Sequence, residues 1–538
     1  MERTGDVGPE PWYPANVPPW FFLTHSPFGH HFGHCRFPDG SSTHFPKQGV
    51  PVAEKNESGE NARETTGGAG LRSELKQRHM TLIALGGVIG AGLFVGSGVV
   101  IDETGPAAII SFLLAGGLVV LVMRMLGEMA VARPEVGSFY AYARLALGNW
   151  GGFTIGWLYW YFWVNVVALE AVAGASQIHA WLPGIPLWVV SLCLMVLLTG
   201  VNMFSVRSFG EFEYWFSSIK VAAITVFLVV GLVFVLGLWP GAHADVSNLT
   251  QHHGFAPHGI GAVLTAVIPA VGFFTGAEIA ALAAAESKNP RRNVARATRS
   301  VVLRVLLFYV GSIFLVIAIV PWNDPSVAQG PYVATLQRMG ISGAGTLMRV
   351  LILVAVLSSL NAGLYSASRI VFALTRNNDA PRGLTKLSGR GVPRRAILLA
   401  TVLGYVSVII AYVSPDAVFS FIVHSYGAVA LFVYLLVALS QVRLRRRLER
   451  EDPGALTLKM WCFPYLSWFT IAAMTAVILA MVVLPSTRSD FAASILTLAV
   501  VLGAYGIRAY RGRCRVRATT PAVGLAPVRE REPEPRRS

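Results

Sequence analysis

Two carboxylates and one lysine lie inside long apolar stretches of this 538-residue sequence: Glu170, Glu278 and Lys220. A charged group inside a bilayer is costly, so such a residue pairs with an opposite charge, binds a ligand or exchanges a proton. Lys220 is the one lysine of seven in an apolar stretch, and a buried lysine, unlike an arginine, can release its proton. The alternative is a lysine that snorkels from a helix end to the membrane surface. Glu278 is a candidate gate or proton carrier, with a structural role at a helix joint as its alternative, and for Glu170 the structural role is favoured.

Two of the apolar stretches are interrupted in their middles. The first, Leu82–Ile101, contains six glycines, and the second, Ile260–Ala285, contains Pro269, Gly272 and Gly276. Glycine and proline weaken helices, and in a bilayer the freed backbone groups cost several kcal/mol unless they find partners. A matched pair of broken segments is typical of the substrate site of a secondary transporter. The first and sixth spans are therefore predicted to be broken helices around a substrate.

The elements that must position these residues are membrane helices. Of the residues, 54% are hydrophobic and 14% charged, with a mean hydropathy of +0.55. Apolar runs near the length that crosses a bilayer recur along the chain and predict an all-α polytopic membrane protein with twelve transmembrane helices. The runs cover about 82–101, 106–126, 154–181, 186–204, 216–238, 260–285, 305–321, 350–372, 396–413, 417–439, 464–484 and 491–507.

The net charge of +15 follows membrane topology and does not indicate a nucleic-acid partner. Lysine and arginine cluster in alternate connections, such as 288–299 and 376–395, whereas 241–259 contains neither. This positive-inside bias places both termini in the cytoplasm of a multi-pass protein of the cell (inner, cytoplasmic) membrane. The expected macromolecular surroundings are a lipid bilayer, and no oligomeric state is specified.

The ends of the chain differ from its middle. Residues 1–70 are predicted to be a disordered N-terminal extension, 71–510 the transmembrane domain and 511–538 a disordered cytoplasmic tail. The four cysteines show neither a disulfide framework nor metal-ligand spacing, so no metal and no cofactor is expected. No phosphate-binding loop and no constellation for covalent catalysis is present, which argues against ATP-driven transport and against an enzyme.

Motifs lie at Gly86–Phe94, Met125–Val131, Gly276–Glu278 and Ala283–Ser287, and further ones at Thr154–Trp160, Ile319–Asn323 and Leu360–Arg369. The first four resemble motifs of the amino acid–polyamine–organocation (APC) superfamily, and the resemblance covers about 71–506. Through the other three, the chain is most similar, within the amino acid transporter family, to the bacterial 4-aminobutyrate (GABA) permeases.

The resemblance implies a leucine-transporter-type fold, with spans 1–5 and 6–10 as two inverted repeats and two C-terminal helices. Backbone amides after the first break then suit a substrate carboxylate, because they begin a half-helix, and carbonyls ending the half-helices suit an ammonium. Lys220 matches a proton-coupling lysine of proton-driven relatives and Phe274 an aromatic gate, while Glu278 is a gating candidate from its place in the second interrupted stretch. The predicted substrate contacts are Val88, Ile89, Gly90, Ala91, Gly92, Phe274, Thr275, Gly276, Asn361 and Ser425.

The predicted function is secondary active import of GABA or a related amino acid by proton symport across the bacterial cytoplasmic membrane. Its partners are the small amino acid substrate and protons. Alternatives are a permease for another amino acid (proline, asparagine or an aromatic), an amino acid exchanger, or an amino acid sensor that does not transport. Asn361 and Ser425 have an alternative of their own, since polar groups within spans also bridge helices.

Overall fold

The structure, a computed structural model, describes residues 89–133, 138–204, 206–240, 246–278, 292–293, 305–341, 343–386, 388, 392–413 and 415–519. The predicted N-terminal extension and Val88 lie outside this part. In the described residues all regular elements are helices. The α-helices, numbered in chain order, are α1 (Ser97–Thr104), α2 (Ala108–Ala132), α3 (Ser138–Leu147), α4 (Asn149–His179), α5 (Leu187–Phe204), α6 (Val206–Val235), α7 (Gly259–Phe274), α8 (Ser312–Ile319), α9 (Pro325–Gln329), α10 (Pro331–Arg338), α11 (Ala344–Arg376), α12 (Arg394–Val413), α13 (Pro415–Glu451), α14 (Tyr465–Val483) and α15 (Arg488–Thr519).

The helices have the length and composition of a membrane protein. Among the described residues, seven helical stretches are long and apolar enough to cross a membrane, and three apolar helices are shorter. Helix occurs in the described part of every predicted apolar run. Two further segments, Gly92–Gly96 and Val305–Gly311, form wider π-helical turns directly before α1 and α8.

Two helices extend well beyond the predicted apolar runs. Helix α6 begins at Val206 rather than near 216, and α13 continues to Glu451 rather than ending near 439. The last turns of α13 are charged, but Arg445 and Arg447 pair with the glutamates four residues on, at 2.7 and 2.8 Å. Such pairs stabilise a helix that has left the apolar layer, and a hydropathy pattern does not detect them. At the C-terminus, α15 runs to Thr519, past the residue at which a disordered tail was predicted.

A polar cluster of Arg144, Asp379 and Arg508 lies at one end of the helix bundle. We call this end the basic side. The buried Asp379 carboxylate follows α11 and accepts hydrogen bonds from Tyr140 at 2.5 Å and Arg144 at 2.8 Å, both on α3. Arg508 of α15 also pairs with it. Burial and the adjacent carboxylate of Asp379 raise the pKa of the Tyr140 hydroxyl, so it remains a donor. One carboxylate therefore joins α3, α11 and α15.

A second buried ion pair joins α2 to α13. Glu128 accepts a hydrogen bond from Arg445 at 2.9 Å, another from Gln441 at 2.9 Å and a third from the backbone amide of Met460. The side chains of Glu128 and Arg445 are 2% and 8% exposed. Because both Glu128 oxygens accept hydrogen bonds and Arg445 is paired with a carboxylate, the charges are tolerated in the interior.

Candidate functional site

The first predicted break is held by a glutamate from another helix. Ile89 and Gly90 are not helical, and the helix begins at Ala91. The amide of Ala91 donates to both carboxylate oxygens of Glu170 on α4, at 3.1 and 3.2 Å. The carbonyl of Ile89 accepts a hydrogen bond from Ser359 of α11 at 3.3 Å. The structural role favoured for Glu170 is thus visible as a contact with the broken backbone.

The second predicted break lies directly after α7. Thr275 has an extended backbone, with φ −65° and ψ 138°, and Gly276 has φ +112°, a conformation that L side chains rarely adopt. The amide of Gly276 donates to the Glu278 carboxylate at 2.9 Å. That carboxylate also accepts hydrogen bonds from Tyr159 of α4 at 2.7 Å and Tyr434 of α13 at 3.1 Å. Glu278 therefore connects the break to two neighbouring helices.

The two breaks face a small central cavity of about 30 Å³. Predicted residues Gly90, Gly92 and Thr275 line it. Tyr426, a weaker pocket candidate from the sequence, also lines it, and side chains that were not predicted as substrate contacts complete its wall, among them Trp163, Phe273 and Ser359. A volume of about 30 Å³ is the space of one water molecule, so an amino acid enters only if these rings move.

Of the two adjacent phenylalanines, Phe273 lines this cavity and Phe274 does not. A side chain at Gly92 or Gly96 would lie 2.5 Å from the Phe273 ring, so these glycines form the groove that holds it. Phe274, which is 1% exposed, packs on Tyr309 with ring centroids 4.3 Å apart. The gate assigned to Phe274 stays a prediction, and the packing brings Phe273 forward as the neighbour of the cavity.

Lys220 is buried, and its partner was missed by sequence reasoning. It is 1% exposed, which excludes a side chain that snorkels to the membrane surface. Its Nζ lies 3.9 Å from Oε1 of Glu213, and Glu170 is close enough to interact with its charge. Glu213 Oε1 also accepts from Ser217 at 3.0 Å and Ser358 at 2.7 Å. The sequence feature that could have revealed this partner is the spacing of Glu213 and Lys220, which are seven residues, or two helical turns, apart.

Glu213 differs from the other buried carboxylates in one respect. Its Oε2 atom is buried and has no hydrogen-bond partner among the described residues. An unpaired buried carboxylate oxygen is unfavourable. Among the buried carboxylates described above, Glu213 is therefore the one with an oxygen that lacks a hydrogen bond.

The remaining predicted contacts lie away from the central cavity or outside the described part. Asn361 accepts a hydrogen bond from Asn202 of α5 at 2.8 Å, which is the helix-bridging alternative. Its Nδ2 has no partner among the described residues. Ser425 belongs to α13, but its side chain is not in the described part, nor is any of Val88. No group of side chains suited to a metal ion occurs in the residues that were described.

Comparison with known proteins decides the family. Residues 79–520 match the family model described as Amino acid permease. The chain belongs to the amino acid permease family, within the APC superfamily. This membership makes it a multi-pass membrane protein and a transporter rather than an enzyme.

Three relatives of this permease align with most of its length. It is 48% identical to the gamma-aminobutyric acid permease of Bacillus subtilis strain 168, over 87% of this chain and 98% of the relative. It is 46% identical to the gamma-aminobutyric acid permease of Escherichia coli K12, over 78% and 90%. The aromatic amino acid transport protein AroP of Corynebacterium glutamicum is 38% identical, over 81% and 94%.

Proposed function

We propose that this permease imports GABA by proton symport across the bacterial cytoplasmic membrane. The observation that carries the proposal is the central cavity between the two broken helices, together with a buried Lys220–Glu213 pair whose lysine interacts with Glu170 of the cavity wall. The names of relatives at 48% and 46% identity indicate GABA as the substrate. AroP, at 38%, favours aromatic amino acids as the second candidate.

In our proposal, backbone groups at the breaks hold the two charged ends of the substrate. Amides that begin the helix at Gly90–Gly92 suit the carboxylate, because the positive end of the helix dipole lies there. Because Glu170 already occupies the Ala91 amide, its neighbours Gly90 and Gly92 receive the carboxylate. The carbonyls of Phe274 and Thr275 and the Thr275 hydroxyl face the ammonium. Glu278 releases or holds the second break and so acts as a gate.

The pair of Lys220 and Glu213 is our candidate for proton coupling. When Lys220 carries its proton, it balances the Glu213 carboxylate in the dry interior. When Lys220 loses the proton, Glu213 is left as an uncompensated charge and must be protonated or exposed. The protonated and deprotonated states of Lys220 therefore favour different helix arrangements. When Lys220 is neutral, the Glu213 Oε2 atom, which has no hydrogen-bond partner among the described residues, is the position at which Glu213 takes up a proton.

The topology that accompanies this function has twelve spans. The proposal places α1 to α6 in the first inverted repeat of five spans and α7 to α13 in the second, with α14 and α15 as the two additional helices. The excess of arginine on the basic side supports a cytoplasmic location for that side and for both termini.

The test is uptake of labelled GABA into vesicles that contain the purified protein. Symport requires uptake driven by an inward proton gradient, with excess unlabelled GABA, but not proline, asparagine or an aromatic amino acid, competing. Uptake that requires internal amino acid would indicate exchange instead, and binding without uptake would indicate a sensor. Competition by aromatic amino acids at GABA-like concentrations would favour the second candidate.

Lys220→Met tests the coupling group. The variant is expected to lose uptake driven by the pH gradient, because no group at that position can alternate between charged and neutral forms. Lys459→Met is the matched control, since Lys459 is exposed. Robust uptake by the Lys220 variant with unaltered pH dependence would remove this residue from the mechanism.

A further inference from the structure

A second, much larger cavity lies at the end of the bundle opposite to the basic side. Its volume is about 530 Å³, and it is bounded by α4, α9, α10 and α11. Helix α4 begins beside the Asp379 cluster and reaches this cavity only in its last turns, at Val172, Ser176 and Gln177. The space is ample for a small amino acid, unlike the central cavity of about 30 Å³.

One charge marks this cavity. Arg349 of α11 is the only charged residue among the described side chains that line it. It is partly buried, and no described carboxylate forms an ion pair with it. A guanidinium offers paired donors that match a carboxylate. The other polar lining groups, Ser176, Gln177, Ser326 and Gln337, are neutral.

The cavity lies on the same helices as the central site. Val95 lines the large cavity three residues after Gly92, which lines the central one. On α4, Val172 follows Leu169 of the central cavity by the same interval. Along α11, Ile352 and Ser359 line the two cavities two turns apart. The two cavities are therefore stacked along the bundle at a separation of one to two helical turns.

We infer that the large cavity is a capture site for the carboxylate of the substrate amino acid, with Arg349 as its cation. The inference rests on the proposed function, because it adds an earlier stop on the same transport path. A lone cation in a partly enclosed space raises the local concentration of anionic groups. The cavity offers the ammonium end only neutral oxygens, from Ser176, Gln177 and Ser326. Binding is therefore selective for the carboxylate and weak enough to release the substrate inward.

The experiment compares Arg349→Gln with the wild type in GABA uptake by proteoliposomes. We expect the KM for GABA to rise about tenfold, because the variant no longer raises the local concentration of the substrate carboxylate through one positive charge. The maximal rate is expected to stay within about twofold of wild type. Arg349→Lys keeps the cation and is expected to retain most of the affinity. Arg338→Gln is the matched control, because this exposed arginine of α10 does not line the cavity.

Two further readouts separate capture from a structural role of Arg349. The KM of the wild type is expected to rise with ionic strength, and that of Arg349→Gln to stay flat. Propylamine, which lacks the carboxylate, is expected to inhibit wild type and variant equally. If the wild type is active and Arg349→Gln has the same KM, the inference is overturned. An equal salt dependence of KM in both proteins also overturns it. Transport of GABA by the wild type tests the proposed function separately. If chloride binds at Arg349 and GABA does not compete with it, the cavity is an inorganic anion site and the assignment is overturned.

Discussion

Removing the Glu170 carboxylate tests whether the first break is held by a hydrogen bond or by charge. Glu170 is 3% exposed and its two oxygens lie 3.1 and 3.2 Å from the Ala91 nitrogen, so both share one N–H. Ala91 is fully buried, so its N–H is shielded from bulk water. Glu170→Ala therefore leaves a buried donor unpaired, whereas Glu170→Gln keeps one acceptor oxygen.

The magnitude follows from the chemistry of this contact. Leaving a buried N–H without its partner costs about 1–3 kcal/mol, and a hydrogen bond to a charged acceptor is worth about 1.5–3 kcal/mol. If the substrate binds only to the held break, a loss of about 2 kcal/mol raises the apparent Kd of GABA by up to about 30-fold. Glu170→Gln loses only the assistance of the charge, about 0.7 kcal/mol, and its Kd rises by about threefold.

The measurement is equilibrium binding of labelled GABA to purified protein in lipid nanodiscs, together with thermal unfolding of the same samples. Asp102→Ala is a suitable control for a change of charge, because Asp102 is exposed on α1. The expected order of Kd is wild type, then Gln, then Ala, with the control equal to wild type.

Two results would refute this reasoning. Equal losses in the Gln and Ala variants would mean that the charge of Glu170 acts directly on the substrate ammonium and that the hydrogen bond to Ala91 is secondary. Tighter binding by Glu170→Ala would mean that Glu170 competes with the substrate carboxylate for the Ala91 amide.

Two substitutions elsewhere test the packing that holds the site. Gly427→Ala places a Cβ 2.5 Å from the backbone carbonyl of Ile268, so α13 and α7 must separate, and a loss of about 1–3 kcal/mol in stability is expected in thermal unfolding. Gly404→Ala is its control, since the close contacts of that Cβ are with the flexible end of Met195, and Val167 lies at 3.4 Å, an ordinary contact distance; equal losses would contradict the backbone-contact explanation. Glu128→Ala removes the buried partner of Arg445, which keeps only the partly exposed Glu449, and it also deprives Gln441 and the Met460 amide of their acceptor; the expected loss of stability is about 3 kcal/mol. A loss below about 1 kcal/mol in denaturant unfolding would show that the pair is solvated.

The positions of the two helix breaks were predictable because they depend on the local backbone preferences of glycine and proline. Gly276 adopts φ +112°, which glycine tolerates and other residues rarely do, so its type alone marks the position. Pro269 and Gly272 weaken the preceding turns in the same way. Which aromatic ring lines the cavity was not predictable, because Phe273 and Phe274 are adjacent and have the same propensities. The groove of Gly92 and Gly96 selects Phe273.

The partner of Lys220 shows the limit of a hydropathy pattern. Glu213 lay outside the predicted fifth run, since its turn of helix is polar, yet the residue is fully buried. It is buried because Ser217 on the same helix and Ser358 on α11 satisfy one of its oxygens. A contact between residues 145 positions apart in sequence is invisible to any local pattern.

The sequence by itself determined that the chain is helical, lies in a membrane and is interrupted twice, because apolar length, charge placement and glycine content act locally along the backbone. Only the tertiary structure decided which side chains close those interruptions. Glu170 reaches Ala91 across 79 residues, and Tyr159 and Tyr434 reach Glu278 from two other helices. Partners for buried polar groups are chosen by how helices pack, and packing depends on the shapes of all the side chains between them.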